Sequence, residues 1–132
     1  MSYRAAGTFD VKIAPLEPYN KGDKSLGRFS IDKQFHGSLD ATSKGEMLSA
    51  GSPATSGGYV AIEKVTGKLE GRSGTFVLQH CAFMNRGTPQ MSVSVVPDSG
   101  TGELTGLTGT MEIIIQKGRH SYVFSYELPD SK

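Results

Sequence analysis

The stretch that decides the fold is Gly100-Thr101-Gly102-Glu103-Leu104-Thr105-Gly106-Leu107-Thr108-Gly109-Thr110. It lies between two apolar segments, Val93-Ser94-Val95-Val96-Pro97 and Met111-Glu112-Ile113-Ile114-Ile115. Glycine at every second to fourth position opposes a helix, because each glycine adds roughly 1 kcal/mol of backbone entropy cost there. The stretch therefore predicts a tight turn that enters a closely packed strand, and with it a β meander.

Period-two alternation, broken by turn residues about every dozen residues, continues from this stretch to both ends of the chain. It predicts eight strands, at about 5–13, 25–36, 39–49, 58–69, 73–84, 90–97, 105–117 and 120–128. An open sheet of sequential hairpins would expose two long edges, and closure removes both. We therefore predict an all-β fold in which residues 1–132 form a single eight-stranded antiparallel up-and-down β-barrel. A barrel of this size is either filled by its own side chains or holds one small ligand.

Composition excludes several classes of function. The net charge is +1 and the 14 Lys and Arg residues are scattered, so no basic face for nucleic acid is predicted. Cys81 is the single cysteine, which leaves no disulfide framework, and the three histidines lack metal-ligand spacing. No apolar run reaches membrane-spanning length and the first residues lack the apolar core of a signal peptide. We expect a cytoplasmic protein with no cofactor, no metal and no membrane or nucleic-acid partner.

The hairpin from Tyr59 to Phe83 carries the most information about the barrel interior. If Glu70-Gly71-Arg72 is a three-residue loop, Leu69 pairs with Ser73 and Glu63 lies opposite Gln79. One face then reads as largely apolar with one polar pair, and we assign it to the interior. Its candidate ligand-binding residues are Tyr59, Glu63, Val65, Val77, Gln79, Cys81 and Phe83.

Glu63 with Gln79 is the best candidate for recognition or chemistry on this face. A carboxylate that faces an apolar lumen loses solvation, so its pKa is expected to rise and to make a general acid or hydrogen-bond donor available near neutral pH. The alternatives are a structural polar pair in a filled barrel, or a salt bridge to Arg or Lys from a neighbouring strand. No catalytic residue is assigned.

The opposite face of the hairpin is predicted to point outward. It combines Lys64, Thr66 and Lys68 with Phe76, Leu78 and His80. Adjacent strand residues face opposite sides, so His80 and Cys81 are not expected to form a catalytic dyad. Cys81 is interpreted as a small buried apolar side chain. Because the proposed outer face around Ile62, Phe76 and Leu78 is apolar, we also expect a homo-oligomer.

Long segments of the chain resemble a bacterial family of unknown function, DUF3224, whose fold is the allene oxide cyclase-like barrel. The resemblance runs from about Gly7 to Leu128 and lies in segments 29–37, 41–50, 58–67, 71–80 and 95–104. The Gly100–Gly106 part of the glycine-rich stretch is similar to a turn-and-strand segment of plant allene oxide cyclases and dirigent proteins. The resemblance implies an eight-stranded barrel that often self-associates. It implies no cyclase activity, since the plant enzyme's catalytic residues do not map onto this sequence.

Three interpretations of function follow from these patterns. The leading one is a barrel that binds a small, mostly apolar molecule in its lumen. The second is an isomerase or cyclase that uses a lumen carboxylate, and the third is a purely structural oligomeric barrel. A cavity above roughly 300 Å³ would favour the first two over the third.

Overall fold

A computed structural model describes residues 2–52 and 54–129 of the chain. Its eight strands pair in chain order as a closed antiparallel barrel, which confirms the predicted fold class. The strands are β1 (Ser2–Leu16), β2 (Leu26–Gly37), β3 (Leu39–Gly51), β4 (Gly57–Leu69), β5 (Arg72–Asn85), β6 (Thr88–Val95), β7 (Thr108–Gln116) and β8 (Arg119–Glu127).

Three of the hairpins turn through two residues, the second of which is glycine. The pairs are Glu70-Gly71, Arg86-Gly87 and Lys117-Gly118, and all six residues have φ between 48° and 87°. Positive φ at both central residues is the mark of a type I′ turn, whose twist matches that of the strands it joins. These turns fix the strand pairing, and through it the side chains that face inward.

One half of the barrel, here called the closed half, is packed solid. It ends at the β2–β3 turn, the β4–β5 turn and the loop of residues 96–107. Its interior is filled by apolar and aromatic side chains that expose at most 7% of their surface, among them Ala5, Phe35, Leu39, Val65, Leu69, Phe76, Leu78, Tyr122, Phe124 and Tyr126. The ring of Phe124 stacks on both Phe76 and Tyr126, with centroids 5.8 and 5.2 Å apart.

The glycine-rich stretch seals this half instead of forming a tight hairpin turn. Residues 96–107 continue along β5, where Val96 and Thr101 donate backbone hydrogen bonds to the carbonyls of Val77 and Thr75. A short 3₁₀ helix at Gly102–Leu104 follows, and Leu104 and Leu107 are 1% exposed. A Cβ at Gly100 would lie 1.9 Å from the carbonyl oxygen of Leu104, so the folded-back loop requires glycine there. Hence β7 begins at Thr108, later than predicted.

The other half, here called the open half, has an incomplete wall. Among the described residues, β6 and β7 share a single pair, Ser94 with Thr110. In the part of the chain that the structure describes, β8 pairs with β1 only along Ser2–Thr8, so residues 9–16 of β1 pair with β2 alone. The tips of β7 and β8 therefore stand apart from both neighbours, and this end of the barrel is accessible.

The predicted pairing of β4 with β5 is wrong by one residue. Leu69 pairs with Arg72 across the two-residue turn, so Glu63 lies opposite Leu78 and Gln79 lies opposite Ile62. A shift of one residue in the pairing register moves every side chain of the strand to the opposite face of the sheet. The predicted faces of β4 are right, but those of β5 are exchanged: Phe76, Leu78 and His80 are buried inside, whereas Gln79 and Cys81 are exposed outside.

This exchange changes the basis for self-association. Phe76 and Leu78, which were assigned to the outer surface, belong to the core. Ile62 does remain exposed, beside Val60 and Leu48 on the outer wall. Self-association through this smaller patch stays a prediction, and sedimentation of the purified protein would test it. No helix in the described part of the chain is long and apolar enough to cross a membrane.

Candidate functional site

Four polar side chains meet inside the barrel, at the level where the closed half gives way to the open half. We call them the Glu63 cluster: Lys33 on β2, Ser43 on β3, Glu63 on β4 and His80 on β5. Oε1 of Glu63 accepts a hydrogen bond from Ser43 Oγ at 2.5 Å. Its Oε2 accepts from Lys33 Nζ at 2.9 Å and from His80 Nε2. Both carboxylate oxygens are therefore occupied.

The electrostatics of Glu63 are the opposite of those predicted. Burial raises its pKa, as expected for a desolvated carboxylate, but the hydrogen bond from His80 and the charge of Lys33 outweigh burial. The pKa falls from 4.5 to about 2. Glu63 is thus ionised at neutral pH and is no general acid, which corrects the expectation of a raised pKa.

Lys33 supplies the positive charge that makes this burial possible. Its side chain is 6% exposed, and Glu63 is 0% exposed. The ammonium group also lies 4.8 Å from the ring centroid of Phe9 and 5.7 Å from that of Phe35. Cation–π contacts with these faces add to the ion pair. The predicted alternative of a salt bridge from another strand is therefore the arrangement found, although Lys33 comes from β2 and not from an adjacent strand.

His80 is held in one orientation by the same carboxylate. Because a carboxylate can only accept, Nε2 of His80 carries the proton in this hydrogen bond. Nδ1 has no hydrogen-bond partner among residues 2–52 and 54–129. In a neutral imidazole that atom is an acceptor. Because no fully buried side-chain nitrogen or oxygen among the described residues lacks a partner, this unpaired Nδ1 atom keeps some exposure to solvent.

Above the cluster, toward the open end, the barrel contains a cavity of about 560 Å³, here called the mouth cavity. This size falls within the range of small-molecule sites. Its walls come from β1 to β6 and are mostly apolar. The lining residues are Ile13, Phe29, Met47, Ser49, Ala50, Gly51, Gly57, Gly58, Tyr59, Ala82, Phe83, Met84, Pro89, Gln90 and Met91.

Tyr59 connects the mouth cavity to the Glu63 cluster. Its ring lines the cavity, and its centroid lies 6.5 Å from that of His80. Burial raises the pKa of Tyr59, and the negative charge of Glu63 raises it further. The phenol therefore remains protonated well beyond neutral pH and can act as a hydrogen-bond donor.

The structure brings together only some of the residues predicted for the site. Tyr59 lines the mouth cavity, and Phe83 also borders it. Phe83 nevertheless lies on the outward face of β5 and is 46% exposed, which corrects its predicted place on the inner face. Glu63 faces the interior but lies below the cavity, and Val65 is packed into the closed core. Val77, Gln79 and Cys81 were assigned to the lumen by the slipped pairing and instead lie on the outward face of β5. The predicted placement of Glu63 opposite Gln79 is therefore wrong.

Sequence reasoning missed Lys33 and Ser43 and placed His80 on the wrong side. A signal for Lys33 did exist: Ile31, Lys33 and Phe35 alternate with Asp32 and Gln34, so the lysine shares the apolar face of its strand.

Glycine is required on β3 beside the Glu63 cluster. Gly45 lies directly opposite Glu63, and a Cβ there would be 2.0 Å from the carbonyl oxygen of Ile62, so a larger residue would not fit. Within the described residues, no group of three His, Cys, Asp or Glu side chains could hold a metal ion.

Comparison with known proteins agrees with this architecture. Residues 5–126 match the model of a family described as protein of unknown function, DUF3224. A crystal structure of a protein of unknown function from this family, from Shewanella oneidensis MR-1, is 49% identical. The similarity covers 99% of this chain and 100% of that one, with a TM-score of 0.91. No curated protein matches. With its family model matched over nearly all of its length, this chain belongs to the DUF3224 family.

Proposed function

We propose that this barrel binds a small, uncharged and mostly apolar molecule in its mouth cavity. The observation that carries the proposal is the contrast within one lumen. The closed half is filled with side chains that expose almost no surface, whereas the open half keeps about 560 Å³ of space. Core packing normally leaves few voids larger than a water molecule. A cavity of this size in an otherwise close-packed barrel supports binding over a purely structural role.

The lining indicates the character of the ligand. Among the described residues that line the cavity none is charged, and three are methionines, Met47, Met84 and Met91. Methionine is unbranched and polarizable, so it adapts to irregular apolar surfaces and is common at adaptable binding sites. The cavity therefore favours apolar molecules of varied shape over one charged metabolite.

The Glu63 cluster supports binding more than it supports catalysis by a lumen carboxylate. Both oxygens of Glu63 already accept hydrogen bonds, and Glu63 does not line the cavity. An isomerase or cyclase that used this carboxylate as its acid would need a raised pKa, but the pKa is lowered. The cluster is better explained as the polar floor that keeps the cavity from being filled. The cytoplasm remains the proposed location, because a single cysteine provides no disulfide framework.

Titration with N-phenyl-1-naphthylamine, whose fluorescence increases in apolar surroundings, tests the proposal. We expect saturable binding to the wild type and a loss of at least about tenfold in Ala82→Phe, because the new ring occupies the cavity. Ala6→Phe is the matched control, since Ala6 is exposed on the outer wall of β1. Ser49→Phe blocks the cavity from another strand in case Ala82→Phe folds poorly. Absence of saturable binding, or equal binding by the blocked and control variants, would contradict the proposal.

A further inference from the structure

Hydrogen-bonding groups in the mouth cavity are few. Of its lining side chains, Ser49, Tyr59 and Gln90 carry polar atoms, and the remaining ones are apolar or glycine. Side-chain hydrogen bonds to a ligand come from these groups, and an unpaired buried polar atom of the ligand would weaken binding. The position of these three residues therefore decides which ligands are accepted.

Tyr59 differs from Tyr122 and Tyr126, two other tyrosines of the barrel interior. Tyr122 donates a hydrogen bond to the carbonyl of His36 at 2.8 Å and accepts one from the amide of Leu39 at 2.9 Å. Tyr126 donates to the carboxylate of Glu70. In contrast, the hydroxyl of Tyr59 makes no hydrogen bond to any residue that the structure describes. A half-buried phenol that lines a cavity with its hydroxyl unused is available to a ligand.

The charges beneath the cavity decide what kind of partner suits this hydroxyl. Burial and the negative charge of Glu63 both raise the pKa of Tyr59, so its hydroxyl keeps the proton and is able to donate a hydrogen bond to a ligand. The same two influences would oppose a ligand anion at this place, since none of the described residues that line the cavity has a cationic side chain. Lys33 is engaged by Glu63 below the cavity.

We propose that Tyr59 selects ligands which present an uncharged hydrogen-bond acceptor, such as a ketone or ether oxygen, at the floor of the mouth cavity. This inference rests on the proposed function, because it names the ligand class of the same site. Tyr59 is its specificity-determining residue, and the apolar wall supplies the remaining affinity.

Three probes with the same fused-ring skeleton test the inference: naphthalene, 2-acetylnaphthalene and 2-naphthoate. Equilibrium dialysis, with each probe quantified by its absorbance on the protein-free side, measures the three affinities in the same way. We expect 2-acetylnaphthalene to bind about fivefold to tenfold more tightly than naphthalene, which corresponds to one hydrogen bond, and 2-naphthoate to bind most weakly. Tyr59→Phe should remove the advantage of the ketone and leave naphthalene binding unchanged. Ser49→Ala, at the other cavity hydroxyl, and Tyr19→Phe, at an exposed tyrosine, should preserve the advantage.

The outcomes separate this inference from the proposed function. Equal binding of the ketone and the hydrocarbon by the wild type would overturn the role of Tyr59 while leaving the cavity a binding site. An equal loss for both probes in Tyr59→Phe, or a loss of the ketone's advantage in Ser49→Ala, would also overturn it. Binding of none of the three would contradict the proposed function, and the inference would fail with it.

Discussion

The closed and open halves of this barrel are built from the same strands but differ in packing, because one is filled with side chains and the other contains a cavity. In the closed half, the sealing loop of residues 96–107 and stacked rings such as Phe124 leave no space. In the open half, the described residues of β6 and β7 form no ladder beyond the single pair Ser94–Thr110, and the lumen keeps a cavity of about 560 Å³. The Glu63 cluster lies between them. The difference shows that close packing and open space occupy separate levels of a single barrel, with a buried ion pair at the boundary.

The largest effect is expected from truncating the closed core. Phe124→Ala removes a ring that is 0% exposed and stacks on two neighbours. We expect a loss of about 3–5 kcal/mol in the free energy of unfolding, because the cavity left behind adds to the lost burial. Urea denaturation measures it. A loss below about 1 kcal/mol, the ordinary size for a single substitution, would show that the closed half is not the stability core.

Removing the charge of Glu63 tests how much the ion pair at the boundary between the two halves contributes to stability. Glu63→Gln leaves Lys33 buried without its anion, and we expect the free energy of unfolding to fall by about 3 kcal/mol or more. Lys33→Met together with Glu63→Gln removes both charges and should recover much of that loss. A single variant as stable as the wild type would contradict the ion pair, and a double variant less stable than the single would contradict its energetic explanation.

Acid should act through the same group. The pKa of Glu63 is lowered in the folded protein, so its contribution is present above the unfolded value of 4.5 and is lost as the pH falls toward about 2. A pKa change of this size corresponds to a stability contribution on the order of 3 kcal/mol. Denaturant midpoints measured from pH 6 to pH 2 should fall for the wild type more steeply than for Glu63→Gln. Parallel curves for the two proteins would contradict the assignment.

The smallest effect is expected in the open half. Met47→Ala changes a side chain that lines the mouth cavity and is only partly buried. We expect a loss of about 1 kcal/mol or less, because no tightly packed shell surrounds this side chain. The measurement is the same urea denaturation as for Phe124→Ala. A loss as large as that of Phe124→Ala would show that the open half is packed like the closed one.

Much of the fold could be predicted from sequence because strand alternation and glycine turns are local signals. All eight strands follow from them. The pairing of β4 with β5 does not follow from these signals. Glu70 has a left-handed φ of 48°, a conformation that favours Asn, Asp or Gly, so the sequence Glu70-Gly71 does not indicate a two-residue turn. The one-residue difference in register places Gln79 and Cys81 on the outer face of β5 and His80 on its inner face.

The candidate site was less predictable than the fold for a related reason. Glu63 could be placed in the lumen from its own strand, but its partner Lys33 lies 30 positions away in the sequence and on a non-adjacent strand. Only closure of the barrel brings the two together. The mouth cavity is a property of side-chain volumes across six strands, which alternation within one strand does not report. The wider likeness to allene oxide cyclases and dirigent proteins stays a prediction.

Methionine methyl groups offer the most direct test of the claim that the mouth cavity is a binding site. Met47, Met84 and Met91 line the cavity, and Met111 is buried in the closed core. Protein labelled with ¹³C at the methionine methyls can be titrated with 2-acetylnaphthalene and followed by NMR. We predict saturable shifts of the Met47, Met84 and Met91 signals, whereas the Met111 signal stays in place. Shifts confined to Met111, or none at saturating probe, would contradict the account.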